Sequence, residues 1–435
     1  MSRASRWVMR AFIATPFVLL ALAVGGALFG LQGGFAPYAV PEPVAGDQTP
    51  QADAATLAQG EYLARLGNCA TCHTTRGGTP FAGGRAFVTD YGTIHSTNLT
   101  PDRATGLGDW SLDEFRHAMR HGVSRHGVLY PVFPYANFAV LNDGDLGALF
   151  GYLRSLAPVA AATPPNRLEF PASWRGALVG WRMLTYRPSA QAADDTRQSA
   201  QWNRGRYLVD GVGHCAMCHG ERGTLGSLPR EGYLAGGRIP GLGWYAPPLD
   251  ERQLARFDVA QLAGYLRSGV SEQGAAYGPM AEVVYSSLRH LTDDDATAMA
   301  VYLKSVPAHP PPRSMSMAAP IGAVAAGNGR RLYEQHCADC HGRDGRGRGL
   351  DYPPLDRAVS MTAPDPVNAV RIVLYGAVAP TTAHNPRPYS MPPFAQKLDS
   401  ADVAAIVSYV RAAWGRQPIP VSSDDVQRLH GLVLD

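Results

Sequence analysis

The chain has 435 residues, 46% of them hydrophobic and 17% charged, with a formal net charge of +3. That balance excludes an intrinsically disordered chain, and so small a charge excess excludes a broad nucleic-acid-binding surface. At roughly 100 to 200 residues per domain the length permits two to four domains.

Arg3, Arg6 and Arg10 precede an uncharged run from Ala11 to Leu31. As a helix that run would reach roughly 31 Å, about the hydrocarbon thickness of a bilayer. Arginines on one flank place that end in the cytoplasm and the bulk of the chain outside. Residues 1–31 are therefore read as a membrane anchor, kinked at Pro16, or as a signal peptide cleaved after Ala21-Leu22-Ala23. The Pro-, Gly- and Ala-rich stretch over 32–52 reads as a tether.

Residues 53–158, 198–308 and 321–416 then read as three copies of one unit, with a C-terminal extension over 417–435. A helix opens each copy, through Gly60-Glu61-Tyr62-Leu63, Gly205-Arg206-Tyr207-Leu208 and Gly329-Arg330-Arg331-Leu332-Tyr333. It leads into Cys69-Ala70-Thr71-Cys72-His73, Cys215-Ala216-Met217-Cys218-His219 and Cys337-Ala338-Asp339-Cys340-His341, which together use all 6 cysteines. On a helical turn, two thiols at this spacing reach the two vinyl groups of one porphyrin while the adjacent imidazole meets the iron. Zinc would need paired clusters, and a disulfide leaves the histidine without a role. Three covalent haem c groups are expected, attached at Cys69, Cys72, Cys215, Cys218, Cys337 and Cys340, with His73, His219 and His341 as iron ligands. Such attachment needs reduced cysteines delivered across the membrane, so export is implied.

Ala82-Gly83-Gly84-Arg85 recurs as Ala235-Gly236-Gly237-Arg238. These arginines suit haem propionates, or are turn residues facing water. Pro247-Pro248-Leu249-Asp250 recurs as Pro353-Pro354-Leu355-Asp356, and Thr97-Asn98-Leu99-Thr100 takes that place in the first unit. A backbone carbonyl there would hold the histidine Nδ1 proton, with Leu249 and Leu355 covering the ring. A short helix ending at glycine follows, over Asp113 to Gly122, Asp258 to Gly269 and Asn368 to Gly376. A final helix closes each unit at Asn142–Leu156, Thr292–Val306 and Asp399–Trp414, with Thr292 and Ser400 as N-cap signals. Pro158 to Pro171 and Ala308 to Pro320 read as linkers.

Met280 lies 11 residues beyond Gly269, and Met391 lies 15 beyond Gly376. Both are read as sixth iron ligands, because a thioether opposite imidazole gives a closed, low-spin iron at raised potential. The same ruler in the first unit lands 11 residues beyond Gly122, on Phe133, which cannot ligate. Met119 reads as core, on a helix where the sister units show Leu266 and Val373 or Leu374. His95, His117, His121 and His126 are further candidates, and that sixth site stays open. Arg116, Arg120 and Arg125 form either a docking patch for an acidic partner or a solvated face.

Gly92-Thr93-Ile94-His95-Ser96-Thr97-Asn98-Leu99-Thr100-Pro101-Asp102 with Thr105-Gly106-Leu107-Gly108-Asp109-Trp110 resembles the first domain of the trihaem cytochrome c subunits of bacterial membrane-bound dehydrogenases. Gly278-Pro279-Met280-Ala281-Glu282-Val283-Val284 and the segment from Leu291 to Ser305 are similar to the second domain of that family. The likeness runs from about Ala52 to Trp414. It implies an all-α fold of three tandem cytochrome c-like domains behind an N-terminal transmembrane or signal helix, at the periplasmic face of the inner membrane. It also implies electron transfer from a dehydrogenase subunit of quinoprotein, flavoprotein or molybdenum type to ubiquinone or a terminal oxidase, without substrate chemistry in this chain. Many members carry methionine where Phe133 stands, and the Tyr-Pro-x-Phe-Pro-Tyr variant resembles cytochrome partners of molybdenum hydroxylases. A peroxidase-like enzyme using an open first haem is the competing expectation.

Overall fold

The computed structural model describes residues 52–186, 193–223, 225–227, 232–309, 323–415 and 420–430. The N-terminal apolar run, its tether up to residue 51, and all of the second linker beyond residue 309 lie outside the described residues. Among the described residues no helix is long and apolar enough to cross a membrane.

The same helix crossing occurs three times. The leading helix Ala54–Leu66 meets the closing helix Asp143–Ser155, Ala200–Tyr207 meets Asp293–Leu303, and Ala323–His336 meets Ser400–Ala413. A Cβ on Gly60 would lie 2.0 Å from the Ala148 carbonyl oxygen, on Gly205 1.9 Å from that of Ala298, and on Gly329 2.3 Å from that of Ala405. Only glycine lets two backbones approach so closely, which is why this residue opens each repeat.

The middle helices Leu112–His121, Val259–Ser268 and Val367–Tyr375 end at Gly122, Gly269 and Gly376, with φ of 58°, 71° and 76°. Ser111 and Asp258 close capping boxes on the first two. Asn142, Thr292 and Asp399 cap the closing helices. In the third, Asp399 rather than Ser400 accepts from the Asp402 amide, so the helix starts one residue earlier than its serine suggested.

The molecule is largely rather than purely helical. Short hairpins pair Ala86–Thr89 with Gly92–His95 and Gly237–Ile239 with Trp244–Ala246 after the first two Cys-x-x-Cys-His turns. Others pair Val123–Ser124 with Gly127–Val128, Val270–Ser271 with Gly274–Ala275, and Ala377–Val378 with Ser390–Met391. Strands of two to four residues are too short for alternation to show in sequence. The first linker is folded as well: Arg167–Leu168 adds a strand against Thr93 and Gly92. The helix Arg175–Thr185 beyond it packs Leu178 on Val123 and Val128 and buries Arg182, which donates to the carbonyls of His121 and Gly122.

One core runs through the first two repeats, with Leu63, Phe150, Leu208 and Leu303 nearly inaccessible. The third has its own, around Leu332, Leu374 and Val407. Val421 and Val426 join that core, so the short helix Ser423–Gln427 of the C-terminal segment packs onto the third repeat. Asn368 ties the third to the second, accepting from the Tyr245 amide at 2.9 Å and donating to its carbonyl at 2.7 Å.

Candidate haem-binding sites

Each cysteine pair lies on a single helical turn: Cys69–Cys72, then Cys215 capping Ala216–His219, then Cys337 capping Ala338–His341. Asn68 and His214, just before the first cysteine, adopt left-handed φ of 52° and 38°, which swings the chain out of the leading helix. The path from Tyr207 to Cys215 is one residue longer than that from Tyr62 to Cys69. The surplus is absorbed as a π-turn over Leu208–Val212. Burial pushes the Cys69, Cys215 and Cys337 thiols up to about 12. Neutral sulfurs on an apolar wall suit thioether bonds to a porphyrin better than thiolate ligation of a metal ion.

The histidines share one arrangement. Nδ1 of His73 meets the Thr97 carbonyl at 2.7 Å, that of His219 the Pro247 carbonyl at 2.7 Å, and that of His341 the Pro353 carbonyl at 3.0 Å. A carbonyl only accepts, so Nδ1 carries the proton and the Nε2 lone pair is left for iron. Burial lowers all three imidazole pKa values and keeps the rings neutral. The carbonyls fall where the Pro-Pro-Leu comparison expected them.

A glycine sets each carbonyl. Gly83, Gly236 and Gly347, at φ 76°, 78° and 67°, donate their amides to the carbonyls of His73, His219 and His341 at 2.7, 2.7 and 2.9 Å. A Cβ on Gly83 would fall 2.5 Å from the Thr97 carbonyl carbon, on Gly236 2.6 Å from the Pro248 nitrogen, and on Gly347 2.1 Å from the Tyr352 oxygen. Sequence comparison missed Gly347, because the third unit lacks the Gly-Gly-Arg landmark; its one signal was the glycine alternation Gly345-Arg346-Gly347.

A single cavity of about 420 Å³ is lined by Cys215, Cys218, His219 and Met280 of the second unit and by Cys337, Cys340, His341 and Met391 of the third. Both expected ligand sets thus converge on one apolar space, which Leu249 and Leu355 also line. Among the described residues the buried Gln253 Nε2 on its wall has no hydrogen-bond partner. A porphyrin carboxylate would satisfy such a donor, so apolar walls, paired sulfurs, imidazole, thioether and orphan donor all fit haem c. Bound haem would supply one-electron redox chemistry, and these residues would hold and orient it while excluding water.

In the first unit Phe133 packs on the shared core, 5.4 Å from the Phe138 ring. Met119 is 5% exposed in that core. His126 is exposed at a hairpin tip, His95 lies on the strand leading to Thr97, and the His117 and His121 rings lie 4.8 Å apart on the middle helix. Arg85 pairs with Glu282 of the second unit at 3.3 Å, and Arg238 with Asp365 of the third at 2.5 Å. Both guanidiniums therefore bridge successive units. Arg116, Arg120 and Arg125 are held by Asp113, Asp143 and Glu114, so their charge is largely compensated locally.

Comparison with known proteins agrees with this geometry. The Cytochrome c family matches residues 203–307 and 326–414. A gluconate 2-dehydrogenase cytochrome c subunit from Pantoea cypripedii is 39% identical over 87% of this chain and 90% of its own length. The cytochrome c subunit of a quinone alcohol dehydrogenase from Gluconobacter oxydans is 36% identical over 87% and 83%. The cytochrome subunit of a fructose dehydrogenase from Gluconobacter japonicus is 34% identical over 86% and 82%. With haem-attachment turns, proximal carbonyls and thioethers in place along a sequence so close to these subunits, the chain belongs to the cytochrome c subunits of bacterial dehydrogenases, covalent haem c proteins that transfer electrons for a catalytic partner.

Proposed function

We propose that this chain is a three-haem relay. It takes electrons from a dehydrogenase at the periplasmic face of the inner membrane and passes them to ubiquinone or a terminal oxidase. The observation that carries the reading is the threefold recurrence of one proximal site, in which a glycine with positive φ fixes the carbonyl that fixes the histidine. Neutral imidazoles with defined tautomers, and thioethers from Met280 and Met391, suit reversible electron transfer at raised potential.

The second unit sits between the others. His214 of its haem turn contacts the Gly67 carbonyl of the first haem turn at 3.2 Å, and Asn137 of the first unit donates to the Asp210 carbonyl at 2.7 Å. On its other side it shares the cavity with the third unit. These contacts support a path running from first to second to third, or the reverse. The residues at 1–31 would anchor the relay or direct its export.

The test is to isolate the full chain from its native membranes, count haem c per polypeptide, and follow haem reduction by the co-isolated dehydrogenase with its substrate and reoxidation by ubiquinone. Fewer than three haems, or no reduction by any co-isolated dehydrogenase, would end the relay reading.

A further inference from the structure

The first and second units keep one register from the middle helix to the axial loop. Val123 pairs with Val128 and Ser124 with Gly127, as Val270 pairs with Ala275 and Ser271 with Gly274. Leu129 donates to the Gly122 carbonyl at 2.7 Å, as Ala276 does to that of Gly269. The Ser124 hydroxyl accepts from the His126 amide at 3.1 Å, as that of Ser271 does from the Gln273 amide. With no insertion between the two, Phe133 stands where Met280 stands, and Met119 stands where Leu266 stands.

That register sorts the candidates for the first iron. The positions of the second middle helix that line its cavity are Leu262, Tyr265 and Leu266. Their counterparts are Phe115, Ala118 and Met119, of which only Met119 carries a ligand atom. His117 and His121 correspond to Gly264 and Ser268, neither of which lines the cavity. His126 corresponds to the cavity-lining Gln273 but is itself exposed at the hairpin tip, and His95 lies on the strand two residues before Thr97, whose carbonyl holds Nδ1 of His73. Tyr130, the counterpart of the cavity-lining Tyr277, donates its hydroxyl to the Ala172 carbonyl at 3.3 Å.

The two pockets therefore show an exchange: leucine on the middle helix and methionine after the hairpin, in the first turn of helix Pro279–Ser286, in the second, and methionine on the middle helix and phenylalanine after the hairpin, two residues before helix Tyr135–Phe138, in the first. We propose that Met119 supplies the sixth ligand of the first iron, and that Phe133 fills the volume which Met280 takes in the second unit. Each pocket then holds one thioether, delivered from a different element. An unbranched thioether on a buried helix face can reorient toward a metal, and the phenyl ring closes the loop side against water. The assignment rests on the haem-relay reading, since it needs a haem at Cys69, Cys72 and His73.

The test uses the full chain matured with covalent haem. It reads the thioether-to-iron charge-transfer band of the ferric state and carbon monoxide binding to the ferrous state. Wild type should bind no carbon monoxide. Met119→Leu, which nearly keeps volume, should lose roughly a third of the band and bind carbon monoxide at one haem per chain. Adding Phe133→Met to that variant should restore the band and abolish binding, which a packing role for Met119 would not produce. Three haems with an unchanged band in Met119→Leu would overturn the assignment alone, as would carbon monoxide binding by wild type, which would mean an open first iron. Haem at only the second and third pentads would overturn this assignment and the relay reading together.

Discussion

The Tyr62 hydroxyl donates to Asp295 Oδ2 at 2.6 Å, joining the leading helix of the first unit to the closing helix of the second. The bond has a mirror: the Tyr207 hydroxyl of the second unit donates to Asp145 Oδ2 of the first, also at 2.6 Å. The caps follow the same swap, for the Thr292 amide meets the Tyr62 hydroxyl at 3.4 Å and the Asn142 amide meets that of Tyr207 at 3.2 Å. The two units thus dock face to face by like surfaces, which brings their haem turns together.

Asp295 makes that interface sensitive to acid. Burial pushes its carboxyl up, but hydrogen bonds from Arg204 and Tyr62 outweigh this and leave it below its ordinary value. A depressed folded pKa contributes stability above the unfolded value near 4, and loses it as pH falls through the folded value. Thermal unfolding of Asp295→Asn should therefore show less loss than wild type as pH falls below about 4. At pH 7 the variant should be weaker by about 1.5 to 3 kcal/mol, the worth of hydrogen bonds to a charged group.

Gly205→Ala should destabilise the second unit by about 1 to 3 kcal/mol, because the new methyl meets the Ala298 oxygen and the helices must separate. Gly264→Ala is the control. It lies exposed in a helix interior with nothing within 4 Å of its Cβ, and should gain about 0.5 to 1 kcal/mol. Chemical denaturation of both variants measures the contrast.

Met280→Ala and Met391→Ala should each lower the potential of one haem and slow electron delivery to quinone, since each removes a thioether that favours ferrous iron. Redox titration with both variants unchanged would defeat the ligand assignment.

Gly236→Ala should act on iron without touching it. At φ 78° an alanine costs about 1 to 2 kcal/mol, and its methyl would push on the Pro248 nitrogen. The Pro247 carbonyl would then release the His219 Nδ1 proton, making the imidazole a poorer electron donor. The second haem's potential should rise, the reverse of the Met280→Ala effect.

Asn368→Leu should strip Tyr245 of both backbone partners, at about 1 to 3 kcal/mol for each orphaned group. Undocking the third unit would slow electron transfer between the second and third haems while leaving their potentials in place. Flash reduction followed by absorbance at single-haem wavelengths separates the two effects.

Local chemistry is what the order of residues specifies unaided. Two thiols and an imidazole on one turn specify covalent haem whatever surrounds them, and glycine-ended helices and Met loops recur at spacings a linear comparison can measure. The carbonyls of Pro247 and Pro353 were legible on the same grounds, since a short loop has few ways to return to its own histidine. Whatever depends on chain segments far apart in sequence needed the folded molecule. Arg85 and Arg238 read either as propionate partners or as turn residues facing water, and neither reading showed that Glu282 and Asp365 come to them from the next unit. The first linker read as spacer because its strand pairs with residues some seventy positions earlier. Met119 read as core and is buried in the core of the first two units, but that its counterpart Leu266 lines a cavity is seen only in the folded chain. Long-range pairing leaves no period in a sequence, and so the docking of these units, unlike their haem turns, could be read only from the folded chain.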